Sequence, residues 1–224
     1  MTVNSIAWAK EYKAKGIPSS FKKTPSGSME FLYQYLNKNK ISLYGKTALD
    51  LGCGTGRNSV SLAKNNVAKV YAVDFVPELI EKIKNPKIKA ICHDLTKSWP
   101  IKNSSVDLAI DIFCFKHQVT KTAHNFYKSE LARVIKKGGF LLVDLAALDD
   151  GYYGHLPKTK FAKDIVKVTD HVTKVDSLLF TKESLIASLK PNFQLLDFVH
   201  TKRAGKMHGT IFTRSTLKFL FKRR

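Results

Sequence analysis

The chain alternates short apolar runs with stretches in which apolar residues recur at helical spacing. Five runs are nearly continuous in apolar residues and end in or near an acidic one: "TALDL" (47–51), "KVYAVD" (69–74), "IKAICHD" (88–94), "VDLAIDIF" (106–113) and "GFLLVDLA" (139–146). Short runs of this kind without polar alternation predict strands buried on both faces. Between them the period changes. Met29, Leu32, Tyr33 and Leu36 fall on one helix face within 26–40, and Ala123, Tyr127, Leu131 and Val134 do so within 122–137. Helices are also expected over 56–65, over 77–84 behind Pro77, and after "TKES" (181–184), which has a capping-box pattern. Gly138 and Gly139 read as the stop of the 122–137 helix. Two closing strands are expected near 193–201 and 216–222, with a loop over 203–214.

Strand and helix in alternation predict an α/β fold, a doubly wound, mostly parallel seven-stranded sheet with helices on both faces. Such a sheet binds its ligand beyond the carboxyl ends of its strands. The loops after Asp50, Asp74, Asp94, Asp111 and Asp144 are therefore the expected site. A single domain over 1–224 accommodates these elements: a cover segment and helix (1–44), a ligand-binding half (45–146), and loops with closing strands (147–224).

Composition narrows the picture only partly. No stretch approaches the roughly 18 uninterrupted apolar residues of a membrane helix, and the first residues lack a signal-peptide pattern, so a cytoplasmic protein without membrane insertion is expected. Cys53, Cys92 and Cys114 stand far apart in apolar or glycine-rich surroundings, which predicts buried small hydrophobes and no metal site. The formal net charge of +20 invites a nucleic-acid partner. Against that, only six of the 38 basic residues are arginine, and the lysines are spread along the chain.

The glycine-rich stretch "TALDLGCGTGRNSVSLA" (47–63) carries the sharpest signal. Gly52, Gly54 and Gly56 form G-x-G-x-G, with Arg57 where a dinucleotide motif has its third glycine and no Lys-Ser or Lys-Thr of a P-loop. A plain strand-to-helix turn would also use such glycines. Two downstream carboxylates weigh against that simpler reading. Asp74 closes the second run 18 residues after Gly56, where a carboxylate can accept from both hydroxyls of an unphosphorylated ribose, and Asp94 in "CHDL" stands where an adenine amine could donate to it.

Taken in order, "ALDLGCGTGRNS", "YAVDF", "CHDL" and "ELARVIKKGGFLLVDLA" resemble the successive motifs of class I S-adenosylmethionine-dependent methyltransferases, over about residues 45–146. "GCGTGRNS" is similar to the tellurite-resistance and thiopurine type. The resemblance implies a Rossmann-like methyltransferase fold and S-adenosyl-L-methionine as cofactor. It implies that Gly52, Gly54 and Gly56 line the methionine end, Asp74 grips the ribose, Asp94 caps the adenine and Asp50 orders the loop near the ammonium. Cys53, Asn58, Phe75, His93, Leu95 and Asp111 complete the implied cofactor shell, with Phe75 set to stack on the adenine.

The acceptor must be read from the loops, since fold and cofactor do not fix it. The loop "DIFCFKHQ" lacks the [ND]-P-P-[YF] pattern of nucleic-acid amino-methyltransferases. Asp111, Phe113, Phe115, Lys116, His117 and Gln118 become candidates for the transfer site, with His117 as base or orienting group. For each of these an ordinary core or capping role is an even alternative. Residues 149–176 are long for a connection and are expected to act as a lid, with Tyr152, Tyr153 and His155 foremost. His208 and Arg214 are candidates for an acidic group on the substrate, and Trp8, Tyr12, Ser19 and Ser20 for cover over the cofactor. The expected function is methyl transfer to a small-molecule acceptor. The alternatives are an RNA or protein methyltransferase, favoured by the charge, and a non-catalytic cofactor-binding module.

Overall fold

A computed structural model describes residues 3–224, with side chains from Ile6 onward. Its central sheet has seven strands in the order β3-β2-β1-β4-β5-β10-β9. These are β1 (Thr47–Leu51), β2 (Lys69–Asp74), β3 (Ile88–Cys92), β4 (Val106–Ile112), β5 (Ile135–Ala146), β9 (Phe193–Met207) and β10 (Thr210–Arg223). The first five run parallel, and β10 is antiparallel to both β5 and β9. The order reverses between β1 and β4, which places the switch point at the glycine loop.

The strands are apolar throughout because both faces are covered. Leu49, Leu51, Leu141, Val143 and Phe219 point into one core with α6 (Lys121–Val134) and α7 (Lys182–Leu189), where they meet Tyr127, Leu131, Leu185 and Leu189. Ala48, Leu108, Ile110, Leu142 and Leu220 point into the other, against Leu32 and Leu36 of α3 (Gly27–Lys38) and Leu62 of α4 (Arg57–Lys64). This two-residue alternation divides one apolar run between two layers. α7 opens as its sequence predicts: the Thr181 hydroxyl accepts from the Ser184 amide, and the Ser184 hydroxyl accepts from the Thr181 amide.

Several expectations need correction. The helix behind Pro77, α5 (Pro77–Ile80), is a single turn. α6 ends at Val134 without help from the glycines, and the chain is already extended at Ile135, so Gly138 and Gly139 belong to β5. Residues 203–214 form no separate loop, because β9 and β10 run on as one long hairpin that turns at His208 and Gly209. Cys92 is exposed on the edge strand β3, unlike the buried Cys53.

Residues 149–176 contain β6 (Lys158–Ala162) and β7 (Ile165–Thr169), which pair with β8 (Asp176–Phe180) in a small antiparallel sheet. Before β1, α1 (Val3–Ala14) and α2 (Pro18–Phe21) pack against each other over the strand ends. Leu142 has no solvent exposure at the centre of β5. Its replacement by alanine is expected to cost about 2–5 kcal/mol, read from urea unfolding.

Candidate active site

A cavity of ≈ 480 Å³ opens at the carboxyl ends of β1, β2 and β4. Its floor is the loop between β1 and α4. Gly52 and Gly54 there have φ of +68° and +55°, which only glycine adopts without strain. A Cβ on Gly54 would lie 2.1 Å from the Tyr12 hydroxyl oxygen, and one on Gly52 would lie 2.8 Å from the Cys114 Cβ. The missing side chains are what let α1 and the loop after β4 close so tightly on this turn. Asp74, at the end of β2, accepts from the Gly54 amide at 2.9 Å and the Val76 amide at 3.1 Å. Asn58 accepts from the Ser26 amide at 2.9 Å and so ties α4 to the start of α3.

Many of the residues expected at a cofactor line this cavity: Gly52, Cys53, Asn58, Asp74, Phe75, His93, Asp94 and Leu95. Asp94 spends one oxygen on the Thr96 amide and hydroxyl. Asp50, Gly54, Gly56 and Asp111 stand behind the lining. Asp50 accepts from the Ser59 hydroxyl at 2.6 Å. Both oxygens of Asp111 are taken, one by the Cys114 and Phe115 amides and the other by the Tyr127 hydroxyl at 2.6 Å. Its expected contact with a ligand is thus replaced by a structural one.

The electrostatics of this end of the sheet favour a cation. Asp50, Asp74 and Asp111 are all buried, and none forms an ion pair among the described residues. Burial pushes the Asp50 carboxyl up to about 7, and neighbouring Asp74 and Asp111 add to the rise. Burial likewise raises Asp111 to about 6. A cofactor carrying a sulfonium and an ammonium fits such a surplus of uncompensated carboxylate. Cys53 and Cys114 have their thiols pushed well up by burial and remain neutral.

On the acceptor side, the loop after β4 splits its side chains. Phe113, Cys114, His117 and Gln118 line the cavity, whereas Phe115 stacks on Phe180 in the core and Lys116 turns away to donate to the Tyr153 hydroxyl at 2.6 Å. Lys174, Val175 and Asp176, at the turn into β8, line the cavity beside His117. Of residues 149–176, expected as a lid, only the last three line the cavity.

Tyr152, Tyr153, His208 and Arg214 do not reach the cavity. Tyr152 donates to Asp170 at 2.8 Å, Arg214 pairs with Asp150 at 2.9 Å, and His208 lies between Glu11 at 3.7 Å and Asp170 at 3.5 Å. These residues brace α1 against the hairpin tip from behind. His155 is exposed on a 3-10 turn.

Trp8 and Tyr12, one helical turn apart on α1, form the roof with Ser19 from α2. Thr55, Arg57, Thr96 and Val119 also line the site and were not singled out from sequence. Arg57 had a visible signal, since it interrupts the glycine pattern.

Comparison with known proteins agrees with this geometry. Residues 48–139 match the family described as methyltransferase domain. The human protein named "Probable tRNA methyltransferase 9B" is 29% identical over 117 residues, covering 52% of this chain and 24% of that protein. O-methyltransferase 3 of Dictyostelium discoideum is 29% identical over 108 residues, covering 43% and 24%. The chain thus spans about a quarter of the length of these curated relatives.

The solved structure of a Burkholderia thailandensis 1,6-didemethyltoxoflavin-N1-methyltransferase, with 1,6-didemethyltoxoflavin and S-adenosylhomocysteine bound, aligns with a TM-score of 0.69. Its identity is 16%, over 99% of this chain and 87% of that one. Residues 48–139 are thus similar to a methyltransferase domain, and the fold is that of this solved methyltransferase.

The raised Asp50 pKa has a sign that can be checked. Its folded value of about 7 exceeds the unfolded value of about 3.9, so the stability linked to its proton is complete below about pH 4 and is lost as pH rises to about 7. Asp50→Asn keeps an acceptor for Ser59 and should gain on the parent as pH rises through that window, in urea titrations without cofactor. A stability difference independent of pH would refute the raised value.

Proposed function

We propose that the protein transfers the methyl group of S-adenosyl-L-methionine to a small-molecule acceptor by direct in-line displacement, leaving S-adenosyl-L-homocysteine. The observation that carries the small acceptor is the roof formed by Trp8 and Tyr12 over the cavity. A covered cavity suits a compact ligand, as small-molecule sites of roughly 300–1,000 Å³ bury most of their occupant. When bound, the cofactor supplies a methyl group already activated on a positively charged sulfur.

The chain's own groups then bind and orient. Asp74 retains lone pairs beyond its two amide bonds for the ribose hydroxyls, and the second Asp94 oxygen is available to the adenine amine. Phe75 and Leu95 offer apolar contact to the base, with His93 beside them. Gly52, Gly54, Gly56, Cys53 and Asn58 shape the methionine end, while Asp50 and Asp111 add negative potential from behind it. Phe113 and His117 face the acceptor. Positioning of this kind can supply about 7–11 kcal/mol of a barrier without a strong base.

A second reading, RNA as acceptor, draws on the +20 charge and on the tRNA methyltransferase among the relatives. Asp74→Ala should weaken S-adenosyl-L-homocysteine binding by about 1–3 kcal/mol in a calorimetric titration at unchanged fold, through lost charge-assisted hydrogen bonds. Equal affinity of the two proteins would sink the cofactor assignment. For the RNA reading, binding of a generic RNA should fall steeply between about 50 and 200 mM salt if several phosphates are contacted. A flat response leaves the small molecule as acceptor.

A further inference from the structure

The loop after β4 holds a histidine at the cavity whose two nitrogens have different fates. His117 Nδ1 lies 2.8 Å from the main-chain carbonyl oxygen of Asp176. A carbonyl only accepts, so Nδ1 carries the proton and Nε2 is left with a bare lone pair. That Nε2 is buried and has no hydrogen-bond partner among the described residues. Next to it in sequence, the Gln118 side chain is buried in the same loop with its Oε1 also unpartnered. Buried polar atoms are nearly always satisfied, and these two unpaired ones belong to residues that line the cavity, so they point to a polar group on its occupant.

Burial keeps the imidazole neutral. Burial is the largest cause, the Lys116 ammonium on the same turn adds to it, and Asp170 and Asp176 oppose it, with the His117 pKa held down to about 3. The Trp8 ring meets the imidazole edge-on, with ring centres 5.2 Å apart. A neutral ring suits a place that must also admit a sulfonium, since an imidazolium there would repel it.

Building on the methyl-transfer reading, we infer that the acceptor carries an N–H or O–H group, and that this group donates to His117 Nε2 with its heteroatom left free to receive the methyl. The Asp176 carbonyl acts as a positioning group, since it fixes which nitrogen of His117 is the acceptor. In the balanced step the N–H or O–H proton ends on Nε2, the methyl is bonded to the heteroatom, and the former carbon–sulfur electron pair stays on sulfur. The depressed basicity of His117 then returns the proton to water. An acceptor atom without a hydrogen, such as a tertiary amine or thioether, would leave Nε2 unsatisfied and bind more weakly.

The test uses the full chain labelled with 15N-histidine and saturated with S-adenosyl-L-homocysteine. His117 should report a proton on Nδ1 and none on Nε2 across about pH 5 to 8, the range in which an ordinary histidine titrates. Naphthol and naphthylamine should then shift the Nε2 resonance, and methoxynaphthalene, which lacks the donor, should bind at least about tenfold more weakly, the equivalent of 1.4 kcal/mol. In His117→Asn, which keeps a donor for Asp176 and removes Nε2, that preference should vanish. A proton on Nε2, equal binding of the three probes, or no binding of any of them would overturn the inference. Failure of S-adenosyl-L-homocysteine itself to bind would instead overturn the methyl-transfer reading.

Discussion

The carboxylate of Asp74 is the joint on which the site depends. It sits at the end of β2, yet it holds the amide of Gly54 in the loop after β1, so two neighbouring strand ends are fixed to each other at the cavity. The loop can take that path because Gly52 and Gly54 occupy left-handed backbone conformations and present no side chain. Tyr12 and Cys114 then come down on the bare backbone and shape the cavity from above and beside it. Each layer of the site therefore rests on two residues without side chains and one without a counterion.

That missing counterion is unusual in so basic a chain. The sequence has 38 lysines and arginines against 18 acidic residues, but the buried carboxylates at the strand ends pair with backbone amides, serines and a tyrosine. The positive charge lies largely on the surface, where lysine is well hydrated, while the interior end of the sheet is electrically negative. The two regions have different chemistry. The surface charge bears on long-range association, and the buried charge bears on what the cavity holds.

Much of this was legible beforehand, for a physical reason. β1 and β2 match "TALDL" and "KVYAVD" residue for residue, because a strand buried on both faces must be apolar throughout and must stop where polarity returns. The loops that line the cavity followed from the parallel sheet alone. What was not legible depends on contacts between distant segments. Nothing local distinguishes Phe113, which lines the cavity, from Phe115, which stacks on Phe180; the difference comes from a positive φ at Phe113 and the 3-10 turn that follows. Tyr152, Arg214 and His208 look like a polar substrate cluster in sequence and prove to be partners of Asp170, Asp150 and Glu11. Lys174 to Asp176 carry no motif and enter the wall only because β8 pairs with β7.

The contact of His208 with Glu11 has a consequence for the order in which the molecule is made. These residues stand near opposite ends of the chain, so their meeting closes a loop of almost the whole polypeptide. Closing so long a loop carries a larger entropic cost than pairing β1 with β2, and non-local contacts form late. On a ribosome the glycine loop and its aspartates can assemble while the hairpin that holds α1 down is still unsynthesised. The contact that fixes the floor of the cavity is thus far more local in sequence than the one that holds its roof, which favours a floor formed before the roof closes.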